Sequence, residues 1–180
     1  PETEGTYTYT VPLVKNTNSV RVVLQHLSGE PVDKDKFEFS ISDENGYMNW
    51  DNALLPDEPL TYYAWHTEQG TAGMGEPEEG RTISSFSAAV AELTVARLME
   101  DADTRLTVRN RETGEIVISI PLIDYALLVK GFYNKEMEDQ EYLDRQDEYN
   151  LVFFLDEGNR WMDSYIYINS WKVVLQGTDL

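Results

Sequence analysis

Apolar residues in this chain recur mostly at every second position, in short runs separated by turn-forming residues. Phe37, Phe39 and Ile41 alternate with Glu38, Ser40 and Ser42. Val20, Val22 and Leu24 alternate with Arg21, Val23 and Gln25, and His26 falls on the Leu24 face. Successive strand side chains point to opposite faces, so this period of two predicts half-buried strands. Leu106 and Val108, then Ile116, Ile118 and Ile120, flank Glu112-Thr113-Gly114 and predict a hairpin. Tyr7 to Leu13 reads as a strand at a sheet edge, because Pro12 offers no backbone donor. Asn16 to Ser19 reads as a turn. Asn45-Gly46 predicts a type I′ turn with Tyr47 to Trp50 as the returning strand. Asp51 to Pro59 reads as a loop and Thr61 to His66 as an aromatic strand. Glu68 to Arg81, with its glycines and glutamates, reads as a mobile loop. Ser84 to Leu98 is rich in alanine, yet Leu93 and Val95 alternate with Glu92 and Thr94, so a long strand is expected.

The last third is the most strongly patterned. Leu151 to Leu155 is an unbroken apolar run, short enough for a strand buried on both faces. Asp156 to Asn159 supplies turn chemistry. Tyr165 to Ile168 alternates aromatic and β-branched residues, and Asn169-Ser170 interrupts it. Trp171, Val173 and Leu175 then alternate with Lys172, Val174 and Gln176. Pro121 to Lys130 differs in kind: its apolar residues sit densely and Gly131 follows, as at a helix C-terminus. Met137 to Asn150 is either a continuation of that helix after a break or a loop. These elements predict an all-β protein, a Greek-key β-sandwich with one short helix.

The order YLDRQDEYNLVFFLDE, then Trp161, then YIYINSWKVVLQGTDL resembles the C-terminal region of the fimbrillin-A-associated anchor proteins, the FimB/Mfa2 family of Bacteroidetes type V fimbriae. The likeness is densest from Met137 to Leu180. It continues more weakly through Ala88 to Leu98 and Pro12 to Gly29. The resemblance implies a transthyretin-like sandwich. It also implies a structural part in the fimbria, foremost as the anchor subunit at the outer membrane, with fimbrial subunits as partners and β-strand addition as the means of contact. Such proteins are typically lipoproteins with a signal peptide and a lipidated Cys ahead of a first domain. Neither is present in this sequence. By the resemblance, residues 1–6 are a linker remnant and 7–180 a single C-terminal domain, tied to the membrane only through an N-terminal lipid that this chain does not carry.

Charge and composition narrow the chemistry. Thirty-three acidic residues against fourteen Lys and Arg give a net charge of −19. Such a surface repels nucleic-acid phosphates, so no nucleic-acid partner is expected. There is no cysteine, which excludes disulfides, thiolate catalysis and Cys-bound zinc. No apolar stretch approaches a membrane-spanning length. The two histidines, His26 and His66, lack accompanying ligands, and no nucleophile motif is present. The turns at Asp101 to Asp103 and Asp156 to Asn159 offer oxygen ligands but do not fit a calcium loop. No enzyme, metal or cofactor is expected.

Two surfaces remain as candidates. The segment Glu138 to Glu148 holds six carboxylates around Arg145, and its Tyr142, Leu143, Asp144 and Arg145 match the most recognisable part of the family tail. The closing strand, Trp171 to Gln176, and the first, Tyr7 to Leu13, are the candidate edges for strand addition. The expected interaction residues are therefore Tyr142, Leu143, Asp144, Arg145, Trp161, Trp171, Val173 and Leu175. Trp65 and Trp171 read as core-facing; Trp50 and Trp161, next to turns, are the better candidates for exposure, although packing in the sheets is the favoured reading. An alternative function follows from the aromatics: a carbohydrate-binding sandwich whose exposed rings stack on sugars.

Overall fold

The computed structural model describes residues 6–73, apart from positions 12 and 14, and residues 85–175. Among these residues, ten strands form two sheets. The strands are β1 (Thr17–His26), β2 (Phe37–Asp43), β3 (Leu60–Tyr63), β4 (His66–Gly73), β5 (Ser85–Ala96), β6 (Arg105–Asn110), β7 (Ile116–Pro121), β8 (Glu148–Leu155), β9 (Tyr165–Ile168) and β10 (Trp171–Val174). Three short helices, α1 (Leu122–Leu127), α2 (Lys130–Tyr133) and α3 (Asp139–Arg145), lie between β7 and β8. The first sheet runs β10-β9-β8-β1-β5-β4 and the second β3-β2-β6-β7. β1 and β8 are parallel; all other pairs are antiparallel. A parallel pair needs a long crossover, and the helical stretch lies within the one that returns the chain to β8.

The period-two pattern is realised where the two sheets face each other. Val20, Val22 and Leu24 of β1 stand in register with Tyr149, Leu151 and Phe153 of β8, all fully buried. Phe37, Phe39 and Ile41 of β2 meet them from the second sheet in the same core, with Leu106, Val108, Ile118 and Ile120. Each such side chain contributes roughly 1.5–3 kcal/mol by leaving water. The alanines of β5 are buried on both faces, Ala88 and Val90 outward, Ala89 and Ala91 inward. Here tertiary packing overrides alanine's helix preference. α1 adds Leu122, Ile123, Tyr125 and Ala126 to the core, on the segment predicted to be helical.

Several local expectations fail, each for a physical reason. Tyr7 to Leu13 forms no strand among its described residues, and Tyr9, Val11 and Leu13 are exposed; Pro12 lies outside the described residues. Asn16 to Ser19 is not a turn, since β1 already starts at Thr17. Asn45-Gly46 makes no type I′ turn, and neither residue has positive φ. The Asn45 side chain is instead buried and spans the sandwich: Tyr62 Oη donates to its Oδ1 at 2.6 Å, and its Nδ2 donates to Ala96 O and Arg97 O. The strand that returns along β2 is β3, not Tyr47 to Trp50. Thr61 to His66 is not one strand. The chain leaves the second sheet after Tyr63, and Trp65 N–H donates to Glu92 O as it joins the first. Glu68 to Gly73, expected to be loop, belongs to β4; residues 74–81 of that expectation lie outside the described residues.

Candidate interaction surface

The chain closes on a tight hairpin. Asn169 and Ser170 both take positive φ, 47° and 72°, so β9 and β10 are joined by a two-residue turn of the I′ kind. Asn is among the few residues that adopt this region readily. The turn is tied down from the side: Asn150 N–H donates to Asn169 Oδ1 at 2.8 Å, and Asn169 N–H to Asn150 O at 2.9 Å. Ile166 and Ile168 face the core and are fully buried. Tyr165 and Tyr167 lie on the other face with Phe154, their ring centroids 4.9 Å and 6.0 Å from it. The Lys172 ammonium sits 4.3 Å from the Tyr165 ring centroid, a cation–π contact.

β10 is the outermost described strand of its sheet. Val173 and Leu175 are half-buried and pack against the core. Trp171 does not. It is 41% exposed, and its ring stacks on Phe132 of α2 at 4.4 Å between centroids and 4° between planes. The expectation that Trp171 is a core residue is therefore corrected. At the edge strand its ring reaches only the rim of the core, where α2 supplies the partner. Trp65 is likewise exposed, because it sits in the crossing between sheets. Trp161 is half-buried, edge-on to Phe153 at 5.7 Å and packed on the core, so of the two candidates for exposure it follows the packing reading. Trp50, the other, is exposed, at 93%. It stands on a turn whose backbone is closed by Asn49 and Asp51 side chains.

The acidic segment has a different character. Tyr142 and Leu143 of α3 are buried in the core. Asp144 makes a two-pronged pair with Arg97: Nε to Oδ1 at 2.8 Å and Nη2 to Oδ2 at 2.7 Å. Gln140 Nε2 donates to the same carboxylate and to Leu98 O, and Arg97 Nη1 donates to Asn52 O. Lys15 donates to Leu143 O and Gln146 O, and Asn18 Nδ2 donates to Gln146 O. α3 is thereby bound to the end of β5 and the start of β1. Burial raises the Asp144 pKa, but the hydrogen bonds from Arg97 and Gln140, with the charges of Arg97 and Lys15, outweigh it and hold the carboxyl below its usual value. Arg145 points to solvent and among the described residues pairs only with Glu141, one helical turn away.

Burial pushes the Tyr142 hydroxyl up to about 12, with Tyr133 nearby adding to it. Tyr149 is pushed up further, again first by burial. Neither hydroxyl has a hydrogen-bond partner among the described residues.

The histidines do not converge. His66 is level with Glu92 and Arg21, five positions along the sheet from His26. His26 Nε2 lies 3.0 Å from Asn159 Oδ1. No group of three metal-ligating side chains occurs among the described residues, and none of their helices is long and apolar enough to cross a membrane. Of the eight expected interaction residues, Arg145 and Trp171 are exposed, Asp144 is largely covered by its partners, and the rest are half-buried or buried. Sequence reasoning missed Phe132; Lys172 and Val174 fall within the candidate edge Trp171 to Gln176 but are not among the expected interaction residues. Phe132 lies two residues past the predicted helix, and nothing local marks it as the partner of Trp171.

The model of the family "fimbrillin-A associated anchor proteins Mfa1 and Mfa2" matches residues 1–177. An adhesin candidate from Bacteroides thetaiotaomicron is similar in structure, at 43% identity and a TM-score of 0.81, over 91% of this chain and 53% of that one. A second protein of that species, described as a polysaccharide-binding candidate, is 32% identical with a TM-score of 0.72, over 91% and 52%. The fimbrial anchor protein Mfa2 of Porphyromonas gingivalis shares the fold at 16% identity and a TM-score of 0.58, over 88% and 48%. The chain thus spans about half the length of these solved relatives. No functionally curated protein is detectably similar in sequence.

Proposed function

Because the chain belongs to the family of fimbrillin-A-associated anchor proteins, we propose that it is the anchor-type subunit of a cell-surface fimbria and contacts its neighbours by β-strand addition. The family is structural and adhesive rather than catalytic. The observation that carries the mechanistic part is the last strand of the terminal hairpin, which is largely exposed and has no described neighbour on its outer side. An unpaired strand edge is a ready template for a partner's extended segment. Attachment to the outer membrane through an N-terminal lipid belongs to the same reading, as does a transthyretin-like arrangement of the sandwich. So does the chain's place as one domain of a longer lipoprotein; the half-length match to its relatives supports it.

The test is affinity capture from the native organism's envelope extract with this chain as bait. Identified fimbrial subunits are expected among the retained proteins, and fewer of them when β10 is deleted. Retention of no fimbrial subunit would sink the anchor reading.

A second reading rests on Trp50, whose ring is almost wholly exposed on a well-bonded turn. One relative is described as a polysaccharide-binding candidate. On this reading the ring stacks on a sugar, and its fluorescence should change with added envelope glycan. An unchanged spectrum in the wild type, matching Trp50→Ala in glycan retention, would remove it.

A further inference from the structure

The sheet edges are not equally open. β3 is entered through Pro56 and Pro59. β7 ends at Pro121, and its pairing with β6 shifts register between Val108 and Arg109. Gln69 of β4 turns its amide toward β5, donating to Val32 O, Ser87 Oγ and Ala88 O. β4 also carries His66 and Glu68. Proline, bulges, charge and covering segments are the devices that keep an edge from pairing. β10, Trp171-Lys172-Val173-Val174, has no proline, no bulge and no acidic residue. Its lysine is the residue type that usually guards an edge, but the ammonium is drawn back over the Tyr165 ring.

The register identifies the free groups. Across a two-residue turn the flanking residues, Ile168 and Trp171, exchange both backbone hydrogen bonds, and the pattern alternates from there. Trp171 and Val173 therefore bond to β9. Leu175 N–H donates to Ser164 O at 3.0 Å in the same phase. Asn169 N–H, bonding to β8 rather than β10, keeps the complementary phase. Lys172 and Val174 must then turn their N–H and C=O groups to the outer edge, where no described strand lies.

The flanking side chains state what would fit there. On the core side, Trp171 and Phe132 form an apolar stacked shelf, both about half exposed. On the opposite side, Lys172 is the only basic residue of β9 and β10. We infer that β10 is the receiving edge for an extended segment of a partner protein, one that alternates apolar with polar side chains and sets a carboxylate opposite Lys172. This rests on the strand-addition reading and adds the edge, the register and the chemistry of the incoming strand.

The probe is a synthetic acetylated peptide that alternates valine with threonine and has one threonine replaced by glutamate. It is titrated into the folded chain while amide hydrogen exchange is read residue by residue. Added protection is expected at Lys172 and Val174, and not at Trp171 or Val173, which are already bonded. Val174→Pro removes an outward N–H and no ladder bond, so affinity should fall about tenfold, the worth of one good hydrogen bond, with the melting temperature unchanged. Should that variant misfold, Lys172→Glu serves instead: it should weaken the glutamate peptide and favour one carrying lysine. Protection along β4 or β7 in place of β10, equal affinity for wild type and variants, or no binding at all would overturn the inference. The first of these leaves strand addition itself standing. If the peptide binds β10 as expected but no fimbrial subunit is captured from the envelope, the proposed function falls and the receiving edge survives.

Discussion

α3 and the terminal hairpin carry the same family likeness but do different physical work. α3 buries Tyr142 and Leu143 and ties Asp144 to Arg97, Gln140 and, through Arg97, to the turn at Asn52. The hairpin keeps Trp171, Lys172 and Val174 at the surface and leaves two residues' backbone groups aimed outward. A recognisable motif can therefore persist because it holds the fold together or because it meets a partner. Burial and hydrogen-bond satisfaction tell the two apart, and the distinction can be tested by substitution.

The largest effect is expected in α3. Tyr142→Ala should cost about 3–5 kcal/mol in denaturant unfolding, the range for a truncated core aromatic. Tyr142→Phe should cost well under 1 kcal/mol, because the buried hydroxyl has no partner among the described residues to lose. A large loss in the Phe variant would mean that the hydroxyl is bonded in solution, and the ring would no longer account for the helix's hold. Next comes the clamp. Arg97→Ala should cost about 2–3 kcal/mol, as expected for paired hydrogen bonds to a largely covered charge.

That clamp also sets a pH dependence. The Asp144 pKa is lower folded than unfolded, so its contribution is present above the unfolded value near 4 and disappears as pH falls through the folded one. Asp43 behaves oppositely. Burial raises its pKa despite hydrogen bonds from Thr104 and the Glu44 amide, so its contribution is complete below about pH 4 and is lost as pH rises through the raised value. Acid unfolding of Arg97→Ala should therefore be shallower than that of the wild type. Equal slopes would remove Asp144 from the acid transition.

Much of this division was hidden from the sequence. Strands β1, β2, β6, β8 and β9 were legible because one or both of their faces are buried, and a period of two or an apolar run then has to appear. The Asn45-Gly46 signal misled because turn propensity is local, while Asn45 is committed to bonds with Tyr62, Ala96 and Arg97 far along the chain. The actual I′ turn sits at Asn169-Ser170, a pair that sequence reasoning saw only as an interruption. Trp171 alternates as a core residue should, yet alternation reports which face a side chain takes and not how far the opposite layer extends. At the last strand of a sheet that layer runs out.

The smallest effects belong to the surface, and they sharpen the comparison most. Trp171→Ala should cost only about 0.5–1.5 kcal/mol, the worth of an aromatic pair, because much of its ring is already in water. A loss of 3 kcal/mol or more, by the yardstick of a core aromatic, would make the closing strand part of the core and weaken its case as an open edge. Arg145→Ala should change stability by no more than about 0.5 kcal/mol, since its one ion pair is exposed and lies within a helix. Arg145 is also the one motif residue of α3 whose side chain is well exposed. If Arg145→Ala leaves both the melting temperature and the capture of fimbrial subunits unchanged, the α3 motif is structural throughout. If capture alone is lost, α3 presents one partner-binding residue on a helix otherwise given to the fold, and the contrast with the hairpin becomes one of degree.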